Sequence, residues 1–346
     1  MARRGGRELV IEDLKEMWGL LETADPTADQ LRVREVASIE LAAGRILLGL
    51  DIHHHRHLLI PVAQNTRITA DRHSSGVQIV AHPLLDRGQL QPFVDLVCLK
   101  PHLHELFSIL VSEVLDLLRR DPFRPDQVCR QVLDRWRELL EYEPAGTVGI
   151  EKLVGLFGEL WFLREMVQRN PNAVRCWAGP RGARHDFSIG SLAVEVKSTL
   201  SRRGRFVEIH GHEQLEPPEN GKLYLGVLKL EQESLSGESL PELVESIVQY
   251  SGDRYTLLQL LAQVDVRLLA LNEYKDIRFR LSESRIYEVN DAFPRITSHS
   301  FVGGVLPQGV ISLAYQVDLS SEPPEPFSES AVVTLLAELS SRMEAL

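Results

Sequence analysis

Apolar positions along the chain fall into two textures, one at helical spacing and one alternating. Residues 8–23 place Leu9, Leu14, Met17, Trp18 and Leu21 on one face of an amphipathic helix. From 31 to 98 the texture changes to short β-like runs at 36–40, 45–50, 57–63, 77–82 and 92–98. Turn residues such as Ser74-Ser75-Gly76 and Asp86-Arg87-Gly88 separate them. This predicts a small antiparallel β module. Helical spacing returns over 102–119 and 126–142, with Pro125 suited to a helix start. Pro144-Ala145-Gly146 then marks a boundary.

Beyond that boundary the pattern predicts a helix over 148–169, with Trp161 and Leu163 on its apolar side. Strands follow at 184–189, 192–199, 205–211 and 222–229, helices at 239–249 and 255–264, strands at 277–289 and 309–318, and a terminal helix over 328–345. A helix, a run of strands and further helices make a mixed α/β (α+β) arrangement. The expected organisation is an N-terminal helix plus β module over 1–99, a helical connecting region over 100–146, and an α/β domain over 147–346. A chain of 346 residues is long enough for two domains of about 150 residues each.

Composition removes several classes without choosing one. With 44% hydrophobic and 25% charged residues the chain is globular, not disordered or collagen-like. Cys98, Cys129 and Cys176 are odd in number and widely spaced, which argues against a disulfide framework or a zinc ribbon. No run approaches the 18 or so apolar residues of a membrane span. The start, Met1-Ala2-Arg3-Arg4-Gly5-Gly6-Arg7, is followed by no signal-peptide apolar core. A cytoplasmic protein without membrane contact is expected. The formal charge of −11 excludes a basic nucleic-acid coat, but an enzyme acting on nucleic acid needs only a local basic stripe.

The chemistry concentrates between residues 155 and 215. Gly190-Ser191 is a two-residue hairpin signal between β-like runs. In the second run Val194 and Val196 face one way and Glu195 and Lys197 the other. The hairpin returns Asp186 toward Glu195 and Lys197. Carboxylates gathered with one ammonium suit a hard cation such as Mg²⁺ or Mn²⁺. Upstream, Glu159 interrupts the apolar stripe of Gly155-Leu156-Phe157-Gly158-Glu159-Leu160-Trp161-Phe162-Leu163, at a desolvation cost unless it is paired or bound to metal. Gly155 and Gly158 weaken the helix by about 1 kcal/mol each relative to alanine and are expected to let it approach the sheet closely.

Other side chains invite chemistry and are better explained otherwise. In His53-His54-His55-Arg56-His57, alternate histidines would share a strand face, yet no Cys or carboxylate stands at ligand spacing, so an exposed hairpin tip is expected. Trp18, Trp136 and Trp161 are expected in the core, and Cys176 packs without an activating partner. His210 and His212 either reach a phosphate or end a strand.

The ordered set Glu159, Asp186, Glu195-x-Lys197 resembles the PD-(D/E)XK nuclease superfamily, the restriction-endonuclease-like fold. The similarity is closer to a bacterial PD-(D/E)XK motif family found in restriction-like defence gene clusters. It is carried by the Gly-Leu-Phe-Gly-Glu-Leu helix, the Trp177-to-Pro180 turn, His185-Asp186-Phe187, Val194-Glu195-Val196-Lys197, Glu213-Gln214-Leu215 and the upstream run Val94–Cys98. The residue before Asp186 is His185, where the superfamily motif has proline. The resemblance implies a metal-dependent DNA endonuclease built on a mixed sheet flanked by helices. It implies Asp186, Glu195 and Glu159 around Mg²⁺ or Mn²⁺, Lys197 on the attacking water, and Gln214 and His185 in support, with Gln214 at the start of a helix. Partners would be DNA and other proteins of a defence operon, with a homodimer as one route to cutting both strands. A second reading keeps the fold and loses the chemistry, leaving a module that binds DNA or a partner protein. A third makes the β module the working part of a regulatory or scaffolding protein.

Charge distribution then changes its meaning. Residues 175–205 hold seven basic and two acidic side chains, a local net of +5, which leaves −16 for the remainder. Arg181, Arg184, Arg202, Arg203 and Arg205 are the expected phosphate contacts.

Overall fold

The β-like runs between 31 and 98 become five antiparallel strands in the computed structural model. It describes residues 11–23, 31–74, 76–86, 89–140, 148–201, 203–233, 236–264, 271 and 273–344. The chain divides into two compact units, Met1–Tyr142 and Glu143–Leu346. The Pro144-Ala145-Gly146 boundary lies outside the described residues.

In the first unit, helix α1 (Ile11–Thr23) precedes β1 (Arg32–Leu41), β2 (Gly44–Leu50), β3 (Arg56–Pro61), β4 (Val77–Asp86) and β5 (Gln89–Cys98). They pair in the order β1-β2-β3-β5-β4, antiparallel throughout. Helices α2 (His104–Arg120) and α3 (Pro125–Leu140), the expected connecting region, fall within this unit. Every residue of central strand β3 is buried, Arg56 included. Its guanidinium lies 5.0 Å from the Trp18 ring and donates to Glu22 and to Ser108 Oγ, which compensates for the lost water. Trp18 and Trp136 are fully buried as expected, and Trp161 is half-buried. The expected exposed histidine tip holds for His53 and His54 only. His57 sits within β3 and is buried.

The second unit begins with α4 (Ile150–Val167). Then come β6 (Phe187–Ile189), β7 (Leu192–Thr199), β8 (Phe206–His210), β9 (Lys222–Gln232), β10 (Glu238–Ser239), α5 (Leu240–Tyr250), α6 (Arg254–Gln263), β11 (Arg278–Glu288), β12 (Ala314–Asp318) and α7 (Glu329–Glu344). One sheet has the order β10-β11-β9-β7-β6, and β8 pairs with β12 in a second. The β6–β7 hairpin closes through Gly190-Ser191, with Gly190 at φ 60°. β7 runs parallel to β9, with Glu195 opposite Leu225 and Lys197 opposite Val227. Glu195 and Lys197 therefore face the layer in which Leu223, Leu225 and Val227 pack with Val207, Ile209 and Val317 of β8 and β12. α5 starts on a reciprocal cap between Ser239 and Glu242.

Two boundaries differ from expectation for one reason. The segment 184–189 is a strand only from Phe187, and 309–318 only from Ala314. In both, the preceding backbone bonds to loops instead of a ladder: the Asp186 carbonyl accepts from Ala178 N and Gly179 N, and Val310 N donates to Pro307 O. No described helix is long and apolar enough to cross a membrane. Cys98, Cys129 and Cys176 are buried free thiols.

α4 is buried over most of its circumference, from Leu153 to Val167, and packs on β7 and α5. The approach is made by Gly158. A methyl group there would meet Ser198 Oγ at 1.7 Å and Ser198 Cβ at 3.1 Å, whereas Gly155 has open space around it. The close-approach role expected of both glycines belongs to Gly158 alone. Gly158→Ala is accordingly expected to destabilise the protein by about 1–3 kcal/mol despite its better helix propensity. Ser198→Ala should restore part of that in chemical-denaturant unfolding, since Ser198 Oγ is buried without a partner.

Candidate active site

Four side chains from three places in the unit converge where α4, the β6 entry and β7 meet. Glu159 comes from α4, Asp186 from the residue before β6, and Glu195 and Lys197 from β7. A methyl built at Gly179 would lie 3.1 Å from Asp186 Oδ1 and 3.4 Å from Glu159 Oε2, so these two carboxylates close on one spot. Lys197 Nζ stands 2.8 Å from Glu195 Oε1.

Each acid is held by a different device. Trp177 Nε1 donates to Glu159 Oε2 at 2.8 Å. The Asp186 side chain accepts from Val196 N at 2.7 Å. Its main-chain carbonyl accepts from Ala178 N at 2.7 Å and Gly179 N at 3.0 Å. Glu195 is 1% exposed, and its Oε2 has no hydrogen-bond partner. Trp177 and Gly179 were not among the expected site residues. Their signal was the Trp177-Ala178-Gly179-Pro180 turn itself, whose indole reaches Glu159 and whose missing Cβ leaves room for two carboxylates.

Burial sets the electrostatics. It pushes Glu159 up to about 8, with the Asp186 charge adding to the rise and the Trp177 bond opposing it. Burial pushes Glu195 to about 8 as well, again helped by Asp186 and opposed by Lys197. Asp186 rises to about 6 by burial, moderated by the Val196 amide and Lys197. Three carboxylates beside one ammonium cannot all ionise without further positive charge. The unsatisfied Glu195 Oε2 and the hard oxygen donors together fit a divalent cation.

The supporting residues are placed differently. His185 is buried, and burial with the Arg184 charge lowers its imidazole to about 4, so it is neutral at pH 7 and faces the backbone of Glu216 and Gln214. Gln214 is in a turn, not at the start of a helix, because Oε1 accepts from His210 N at 2.9 Å and closes the chain after β8. Arg184, His210, His212 and Gln214 line an open groove with Leu313 and Ala314. Arg181, Arg184 and Arg203 are exposed. Arg184 Nη1 is 3.9 Å from Glu216 Oε2. Arg205 instead makes two bonds to Glu283, at 2.9 and 3.0 Å, and caps Leu319 and Ser320 carbonyls. Arg202 lies outside the described residues.

The raised acids have a measurable consequence. Glu195 holds a proton in the folded state up to about pH 8, whereas the unfolded chain releases it near 4.5. Between those values the folded state binds more protons, so stability falls as pH rises. In chelator, Glu195→Gln should melt above wild type at pH 8, with the gap narrowing toward pH 5, while losing affinity for Mn²⁺ in calorimetry.

No curated protein and no solved structure matched the chain significantly. A family model described as PD-(D/E)XK family member (DUF4420) matches residues 14–320, most of the chain and the whole of the site. An ordered Glu159, Asp186, Glu195-x-Lys197 set on a nuclease-like α+β scaffold, with that match, places this chain in the DUF4420 family of PD-(D/E)XK proteins.

Proposed function

We propose that the chain is a divalent-metal-dependent DNA endonuclease of a bacterial restriction-like defence system, and that Asp186, Glu195, Lys197 and Glu159 are its catalytic set. The single observation that carries this is a fully buried Glu195 with one oxygen on Lys197 Nζ and the other unpartnered, beside half-buried Asp186 and Glu159, whose oxygens both border Gly179. A structural salt bridge needs neither the second nor the third acid.

Asp186 and Glu195 would hold Mg²⁺ or Mn²⁺, with Glu159 beside them. When bound, the ion supplies Lewis-acid charge to the scissile phosphodiester and its attacking water. Asp186 is pre-oriented by three main-chain N–H groups, so its carboxylate reorganises little when a cation or phosphate arrives. Lys197 is poised to turn from Glu195 Oε1 to an attacking water or a phosphate oxygen, donating through Nζ. Glu159, kept in place by Trp177, is an acid near 8 that can accept or return a proton close to neutral pH. His185 and Gln214 are positioning residues that fix the loop against Asp186. Arg181, Arg184 and Arg203 face solvent on the segments flanking the cluster and suit backbone phosphates. Arg202, next to Arg203 in sequence, joins them by charge alone. One such site per chain cuts one strand, so a double-strand break needs a dimer or two nicks.

Supercoiled plasmid with Mg²⁺ or Mn²⁺ should be nicked or linearised, and Lys197→Ala should slow this by about 10²–10³-fold. The proposal fails if folded protein cuts no DNA, methylated or not, with or without its operon partners. Metal-independent DNA binding that survives Asp186→Ala would then favour the non-catalytic module.

The arginines separate by role. Arg181→Ala with Arg203→Ala should weaken DNA binding and flatten its salt dependence by about one unit of slope per lost contact. Arg205→Ala should lower the melting temperature, because Glu283 loses its bidentate partner, and should leave the salt slope unchanged.

A further inference from the structure

The first unit carries a second gathering of ligand-type side chains, unconnected by sequence motif. On β3, His57 pairs with Val97, and on β4, His82 pairs with Phe93. Val97 and Phe93 flank Asp95 at two residues on either side along β5. The three side chains therefore share one face of three adjacent strands. Asp95 is fully buried, His57 is 7% exposed, and His82 is half-buried.

Both rings present Nδ1 to the same carboxylate oxygen. His57 Nδ1 is 2.9 Å from Asp95 Oδ2, and His82 Nδ1 is 2.8 Å from it. One donor atom from each of the three residues lies within 4.8 Å of the others. Tetrahedral ligands around a zinc-class ion at about 2.0–2.2 Å sit about 3.3–3.6 Å apart, so modest shifts of the rings would admit an ion. Burial alone would raise Asp95, yet the two imidazoles hold it below the usual carboxylate range.

The far side of His57 separates the alternatives. Its Nε2 is buried without a hydrogen-bond partner, and Asp51 Oδ2 lies 3.7 Å from it. If a neutral His57 donates its Nδ1 proton to Asp95, a bare Nε2 lone pair faces a second carboxylate. If instead Nδ1 ligates a cation, Nε2 carries the proton and aims it at Asp51. That is the ordering in which a carboxylate orients a metal-ligating imidazole. Asp51 is itself fixed, accepting from His53 N and His55 N and from the His55 ring. The rival is an imidazolium at His57 clamped between Asp51 and Asp95 with no ion.

We infer that His57, His82 and Asp95 form a binding site for a zinc-class divalent ion, with Asp51 orienting His57 from behind. The two imidazoles and one carboxylate select an ion of zinc or cobalt type over the harder Mg²⁺. The ion would tie β3, β5 and β4 together, and the partly open side of His82 leaves room for a water or a further ligand.

The test uses full-length protein carrying Asp186→Asn and Glu195→Gln, which removes cation binding by the second unit. After stripping with chelator, Zn²⁺ titration should give one tight equivalent, and Co²⁺ should give visible absorption of a nitrogen- and oxygen-ligated ion. His82→Gln, at the least buried ligand, should abolish that equivalent, as should Asp95→Asn if it folds. Asp51→Asn should weaken it about tenfold, and His53→Gln/His54→Gln should leave it intact. No tight equivalent in the parent, or one that persists in His82→Gln, overturns the site.

Discussion

The partial to full desolvation of three neighbouring carboxylates beside a single ammonium is the constraint around which the second unit is arranged. Desolvating one carboxylate is costly, and desolvating three that repel one another is far more so. The surrounding structure is consistent with keeping that cost tolerable. Trp177 donates to one acid, the Val196 amide to another and Lys197 to the third. The remaining deficit appears as acids titrating between about 6 and 8. A site in this state is stabilised by added positive charge, which links its proton occupancy to whatever cation it takes up.

The scaffold supplies what the acids need through backbone geometry more than through side chains. Glu159 reaches the cluster because Gly158 lets α4 settle onto β7, at Ser198. Glu195 and Lys197 face the same side because β7 alternates in register with β9. Arg205 and Glu283 link the segment before β8 to β11, so a residue in the basic stretch acts as a brace.

Much of this was legible in the sequence where local chemistry is strong. The Gly190-Ser191 hairpin, the β7 run and the apolar α4 stripe each carry their own signal, and all three form as expected. Asp186, Glu195, Lys197 and Glu159 could be singled out because charged residues stood out on apolar elements. What was not legible depended on distant partners. Nothing near His57 announces Asp95, which lies 38 residues away and meets it only across β3 and β5. Likewise, Gln214 stands where the sequence predicts a helix start, but its amide oxygen accepts from His210 N, four residues back, and closes a turn. The fate of Arg205 was set by Glu283, 78 residues on.

The anchoring of Asp186 by main-chain groups has one more implication. Its carbonyl takes two amides from the Trp177–Pro180 turn, and its carboxylate takes a third from β7. No side chain from Arg181 to Arg184 contributes to that anchor, and those residues are exposed. Apart from Gly182, whose φ of 73° favours glycine, their identities are thus free to drift without moving the acid. Variation at Arg181, Ala183 and Arg184 would change the charge and bulk offered to solvent beside the cluster while the acid beneath keeps its place.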